Sequence, residues 1–147
     1  LVPLGGGGLF AGTATAVKSL QPTCFIYGVE PEAGNDWHLS WELGERVAID
    51  APATIAEGMR TTEPGKVPWP IVRAHGEGVL LVSDDEIRAA MRFAAQRMKL
   101  VIEPAGATVI ASVLAHRVPA APKRIGVIVS GGNVDLNTFA ALCTSEA

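Results

Sequence analysis

The feature that most constrains this chain is a run of four glycines, Gly5-Gly6-Gly7-Gly8, set between the apolar Leu1-Val2-Pro3-Leu4 and a helical pattern. Four successive residues without a Cβ are costly in backbone entropy, so the run needs a geometric reason. Their backbone N–H groups can converge on one anion, assisted by the positive end of the helix that follows, and phosphate is the natural guest. The alternative is a tight turn without a ligand, which rarely needs four glycines. Phe10, Ala14 and Val17 recur at helical spacing and predict a helix over residues 9–20, stopped by Gln21-Pro22. A glycine loop of this kind usually closes a strand inside a sheet. Because the chain opens without Met only a few residues earlier, the expectation is a fragment whose N-terminal part is missing.

Further along, Cys24-Phe25-Ile26-Tyr27-Gly28-Val29 reads as a buried strand, short and continuous. Residues 31–82 are less regular and rich in proline, with a short amphipathic turn over 37–43 and a helix around 53–60. Val79–Val82 is a strand. Ser83 and Glu86 then form a capping box, and Ile87, Ala90, Met91, Ala94 and Met98 mark the apolar face of a helix running to about residue 99. Glu103-Pro104 opens another helix, Ile125–Val129 reads as a second strongly buried strand, and a last helix covers 134–143. The alternation predicts an α/β fold, a mostly parallel sheet flanked by helices, in one domain over the 147 residues.

Composition narrows the function. Twelve Lys and Arg against 15 Asp and Glu leave a net charge of -3, and aromatics are 5%, so nothing equips the chain for nucleic acid. No apolar run is long enough for a membrane span and no signal pattern opens the chain. Cys24 and Cys143 are too few and too far apart for a disulfide framework, and the expected compartment is cytoplasmic.

In open α/β sheets, ligands gather at the carboxyl ends of the strands. Three features fall there: Gly5–Gly8, Glu30, and Ser130-Gly131-Gly132-Asn133. Gly6-x-Gly8-x-x-Ala11 with Glu30 about twenty residues on fits a dinucleotide fingerprint, so a nicotinamide-dependent oxidoreductase stays open on spacing. Glu30 with Asp36 equally suits a hard cation, Mg²⁺ or Ca²⁺, completed by backbone carbonyls, or a solvated acidic loop. Ser130 is either a hydroxyl facing a heteroaromatic nitrogen or a serine satisfying a helix start. His38, His75 and His116 lack metal-ligand spacing, and no serine sits in a nucleophile elbow.

Taken in order, Val2-Pro3-Leu4-Gly5-Gly6-Gly7-Gly8-Leu9-Phe10-Ala11-Gly12, Gly28-Val29-Glu30-Pro31-Glu32, Thr54-Ile55-Ala56-Glu57-Gly58, Ser83-Asp84-Asp85-Glu86-Ile87, Arg97-Met98-Lys99 with Glu103-Pro104-Ala105-Gly106-Ala107, and Ser130-Gly131-Gly132-Asn133 span nearly the whole chain. This series closely resembles the C-terminal half of the serine/threonine dehydratases. These are pyridoxal-phosphate (PLP) enzymes of the tryptophan-synthase-β fold type, with serine racemases as near relatives. The resemblance implies the large-domain portion of that fold, with Gly5, Gly6, Gly7, Gly8 and Leu9 as the phosphate cup. It implies Ser130 facing the ring nitrogen, Gly58 approaching the cofactor by its backbone and Glu103 as an acid near the ring. Glu30, Asp36 and the carbonyl of Gly34 match a divalent cation site. Glu57 stands where the family commonly has Asp, and Trp37-His38 follows the cation loop in an unusual order.

The implied activity is β-elimination on L-threonine or L-serine, giving a 2-oxo acid and ammonia. Serine racemase-type activity and a non-catalytic phosphate- or cofactor-binding half-domain are the alternatives. The family's Schiff-base lysine lies in an N-terminal motif that is absent here; Lys18, Lys66, Lys99 and Lys123 have other contexts. The expectation is therefore that no catalytic residue lies in this chain and that the isolated residues do not turn over. The implied partners are an amino-acid substrate, the missing N-terminal half or a companion chain, and further copies in a homo-oligomer of the full enzyme.

Overall fold

Three parallel strands carry the fold: β1 (Val2–Pro3), β2 (Tyr27–Pro31) and β3 (Gly78–Val82), ordered β1-β2-β3. The computed structural model describes residues 1–119 and 122–144. Parallel neighbours need crossovers, and here these are helical. Helix α1 (Gly8–Leu20) joins β1 to β2; α2 (Asp36–Leu43) and α3 (Pro68–His75) lie between β2 and β3. Helices α4 (Asp84–Phe93), α5 (Pro104–Leu114) and α6 (Leu136–Thr144) follow. None of the helices among the described residues is long and apolar enough to cross a membrane.

The register sorts the strand residues onto two faces. Val2, Gly28 and Val79 stand in one row, and Val2 and Val79 pack with Leu4, Phe10, Ala14, Trp37 and Val72 from α1, α2 and α3. Val29 and Leu80 form the next row and, with Val82, meet Ile87, Met91, Val109 and Ile110 from α4 and α5. Alternation of side chains along a strand makes these opposite faces, so the sheet is covered on both sides. Helix α5 can lie flat on the sheet because Ala105, Gly106, Ala107 and Ala111 are small. Its buried Thr108 and Ser112 hydroxyls donate to the carbonyls of Ala105 (2.8 Å) and Val109 (2.9 Å), so neither is left unsatisfied. The capping box at α4 is formed in both directions: Ser83 Oγ accepts from Glu86 N, and Glu86 Oε2 accepts from Ser83 N.

Several expectations need correction. The strand expected from Cys24 starts only at Tyr27; Cys24 is exposed and Phe25 is 72% exposed. Cys24 N donates to Gln21 O, so the chain is still turning out of α1 at that point. Ile125–Val129 forms no strand and is half-exposed. Its backbone is held by Leu1, whose amino group donates to Gly126 O (2.7 Å) and whose carbonyl accepts from Ile128 N (3.0 Å). The two-residue β1 offers no longer edge to pair with. The helix expected over 53–60 is a single 3-10 turn, Glu57–Met59. The helix expected to reach residue 99 widens after Phe93 into a π turn over Ala94–Met98, leaving Met98 exposed, and ends at Lys99 with φ of 61°. Helix α3 was hidden by its prolines. Pro68 and Pro70 both lie in its first turn, where the missing N–H groups have no intrahelical partner to lose.

Candidate cofactor site

The glycine run leaves the sheet at the carboxyl end of β1, just after Leu4 N donates to Val29 O (2.9 Å). Gly7 is the residue before α1, with φ of 92°, a left-handed conformation that favours glycine, and no side chain caps the helix. The first-turn N–H groups of α1 are thus left for an anion. Packing explains two of the glycines. A Cβ on Gly5 would stand 2.9 Å from the Gly58 carbonyl, and one on Gly7 would overlap the Trp37 ring and come within 2.9 Å of Pro68. Gly6 and Gly8 face open space, so no protein neighbour requires them to lack side chains. Leu9 is exposed.

From Gly58 the contacts run on to the Ser130 loop. A Cβ on Gly58 would meet the Ala105 methyl at 3.4 Å and Glu103 Oε1 at 4.0 Å. Glu103 in turn grips residues 131–133: its N–H donates to Gly131 O (3.1 Å), and its Oε2 accepts from Asn133 N (3.0 Å). Gly131 has φ of 149°, and a Cβ there would strike the Glu103 carboxylate. Gly106 keeps α5 close, since its Cβ would lie 3.5 Å from Ser130 N. The structure therefore brings Gly5, Gly58, Glu103 and the Ser130 loop into one continuous row. A cleft of about 420 Å³ opens beside it, lined by Gly58, Glu103, Asn133, Asp135 and Thr138 among others; the glycine run and Ser130 do not line it. The Gly58 turn is anchored by Asp84, which accepts from Thr54 Oγ1 (2.6 Å) and Ile55 N (3.0 Å).

Glu30 and Asp36 are both buried, at 1% and 0% exposure. Glu30 accepts from the backbone N–H groups of Trp37 (3.3 Å) and His38 (2.7 Å), and Asp36 accepts from Thr61 Oγ1 (3.2 Å). Burial pushes the Glu30 carboxyl up to about 9; the His38 N–H pulls it back and the Asp36 charge adds to the rise. Burial likewise pushes Asp36 up to about 6. Gly34 lies at the same turn, packed near Pro52 and the Met59 carbonyl. Among the described residues, no group of three or more His, Cys, Asp or Glu is placed to hold a metal, so this pair would need carbonyls or water to complete a shell. Glu30 is enclosed beneath the start of α2, which removes the dinucleotide reading in which it would face a ribose.

A family model described as "Pyridoxal-phosphate dependent enzyme" matches residues 1–131. The chain belongs to that family. It is 48% identical over 141 residues to an L-threo-3-hydroxyaspartate ammonia-lyase of a Pseudomonas species, covering 96% of this chain and 44% of that protein. It is 45% identical over 139 residues to the serine racemase of Schizosaccharomyces pombe, covering 95% and 43%. Among solved structures, a threonine deaminase from the organism abbreviated T.th. superposes with a TM-score of 0.86 at 43% identity, over 92% of this chain and 46% of that one. The chain spans under half the length of these relatives. Its parallel sheet and flanking helices are those of the tryptophan-synthase-β-like PLP fold.

The residues present fit PLP. A phosphate would meet the uncapped N-terminus of α1 beside Gly6 and Gly8, where the backbone can be approached without obstruction. Sequence reasoning missed three supports: Trp37, whose indole N–H donates to Gly5 O; the Asp84–Thr54 anchor; and Thr61 on Asp36. The unusual Trp37-His38 order was the only outward sign of the first. The other two join residues at least 25 apart, which no local pattern reveals.

Proposed function

We propose that this chain is the C-terminal, large-domain part of a PLP-dependent ammonia-lyase that converts a β-hydroxy α-amino acid, L-threonine or L-serine, to a 2-oxo acid and ammonia. The observation that carries the reading is the continuous row from Gly5 through Gly58 and Glu103 to the Ser130 loop, at the carboxyl edge of a parallel sheet. In this reading Gly5–Gly8 and Leu9 hold the phosphate by backbone N–H groups, and Gly58 backs them. The Ser130 hydroxyl donates to a neutral ring nitrogen, where a carboxylate would instead hold a protonated one. Glu103 holds the Ser130 loop in place through Asn133 and Gly131. When bound, the cofactor supplies the electron withdrawal that makes the substrate's α-C–H acidic. Glu30, Asp36 and the Gly34 carbonyl hold Mg²⁺ or Ca²⁺, whose charge would compensate the two buried carboxylates.

The lysine that takes the α-proton comes, in this proposal, from residues outside the chain. Lys18 is paired with Glu77 (3.2 Å), Lys99 donates to the Gln96 carbonyl, and Lys66 and Lys123 are exposed in loops. The three relatives are named for threo-3-hydroxyaspartate, serine and threonine, which share a hydroxyl on the β-carbon. That shared leaving group supports the substrate class. The relative named as a serine racemase supports a second reading, inversion at the α-carbon of serine.

The test supplies the full-length protein with PLP and each of L-threonine, L-serine and L-threo-3-hydroxyaspartate, following 2-oxo acid, ammonia and D-serine. Steady 2-oxo acid with bound PLP is the expected result, and D-serine alone would favour the racemase. PLP binding without either product would leave the non-catalytic, cofactor-binding reading. The isolated 147 residues should give no turnover; sustained product from them would refute the assignment of the lysine.

A further inference from the structure

Trp37 is fully buried at the start of α2 and is bonded to both Glu30 and the glycine run. Its backbone N–H donates to Glu30 Oε2, and its indole Nε1–H donates to the Gly5 carbonyl at 2.5 Å. The ring also fills the space where Gly7 would carry a Cβ. Trp69 of α3 packs against it, with centroids 5.7 Å apart at 37°, so the indole is walled in.

The Gly5–Gly6 peptide is trans, and in a trans peptide the carbonyl and the N–H point in opposite directions. An indole holding the Gly5 carbonyl therefore turns the Gly6 N–H away from Trp37. Gly6 is exposed there, with nothing within 4 Å of a Cβ position. Glycines on both sides leave this peptide free to rotate unless something holds it. Rotated by half a turn, it would present a carbonyl oxygen where the N–H had been, and an anion would be repelled.

We propose that Trp37 is a positioning residue whose indole N–H sets the Gly5–Gly6 peptide so that the loop presents a donor to a phosphate. This rests on the cofactor reading above. It requires that removing the indole donor weaken ligands bearing a phosphate and spare those that lack one. A residue that merely supports folding would affect both alike.

The test compares pyridoxal 5'-phosphate with phosphate-free pyridoxal by calorimetric titration of the full-length protein. Trp37→Phe should weaken the phosphorylated ligand about tenfold, the scale of one hydrogen bond, and leave pyridoxal unchanged. If that variant fails to fold, a tryptophan analogue with sulfur in place of the indole N–H keeps the shape and should give the same selective loss. An unchanged affinity ratio in a folded variant overturns the proposal for Trp37 and leaves the cofactor reading standing. No preference for the phosphorylated ligand in the unsubstituted protein overturns both.

Discussion

At the glycine-run end of the site, Gly5 and Gly7 press against Gly58, Trp37 and Pro68, and the helix behind them buries Phe10, Ala11 and Ala14. At the Ser130 end, Ile125 and Ile128 are exposed and α6 has no buried residue. Segment 125–129 is tied to Leu1, and the turn after it to Glu103. One end is set by fully buried close packing, the other by a few hydrogen bonds and by half-buried side chains such as Val127, Val129 and Phe139 laid against the core. Packing fixes geometry before any ligand arrives, so under the proposed function a phosphate at the glycine run would meet a preorganised backbone and bind with little ordering cost. The Ser130 end is held less tightly, and under the same proposal a ligand touching both ends would stabilise mainly that one.

The largest effect should come from filling the packed end. Gly7→Ala adds a methyl at φ of 92°, directed into the Trp37 ring and Pro68. Left-handed strain and overpacking together should cost about 3 kcal/mol, with loss of PLP binding, measured by denaturant titration and spectroscopy. A variant as stable as the parent would show that the packed end is not packed.

Next in size is the acid pair beneath the same end. Glu30 is raised to about 9 and Asp36 to about 6, chiefly by burial, so the folded state holds these protons more tightly than the unfolded one. Their stabilising effect is complete below the ordinary carboxylate range and is lost as pH rises through the folded values. Without divalent cation, stability should therefore fall progressively as pH rises from about 5 to about 9. Millimolar Ca²⁺ should release protons and abolish the slope, as scanning calorimetry would record. The same slope with and without cation would remove Glu30 and Asp36 as ligands.

A smaller and local effect belongs to the loosely held end. Glu103→Ala removes the acceptor for Asn133 N and should cost about 1 kcal/mol. Amide exchange should accelerate at residues 131–133 and stay unchanged in α1. Faster exchange at both ends would mean that they are not separate units.

How much of this was legible in the chain follows the same division. The glycine run, the α4 capping box and the α5 start were readable because each is set by neighbours within four residues. The pairing of Glu30 with Asp36 came from loop spacing and resemblance. Helix α3 was not readable, because its prolines are breakers everywhere except in a first turn. Trp37 on Gly5 spans 32 residues and depends on how α2 is set against the sheet. Apolar runs misled most: Ile125–Val129 looks like a core strand, yet burial depends on what lies beside it, and its backbone bonds go to Leu1, the residue just before β1.

The smallest expected effect tests that last point on adjacent residues. By apolarity, Phe25 and Ile26 belong to one buried strand. In the structure Phe25 is 72% exposed, whereas Ile26 is 3% exposed, sits in the core with Val2, Leu4 and Phe10, and accepts a hydrogen bond from Glu77 N (2.8 Å). Phe25→Ser should change stability by no more than about 0.5 kcal/mol, as at other surface positions. Ile26→Ser, the buried control, should cost about 3 kcal/mol, because it removes buried apolar surface and leaves a hydroxyl in its place. The ratio is read by chemical denaturation of the two variants side by side. Equal losses would mean that Phe25 is covered in the folded protein, and that the packed end extends across the turn between α1 and β2.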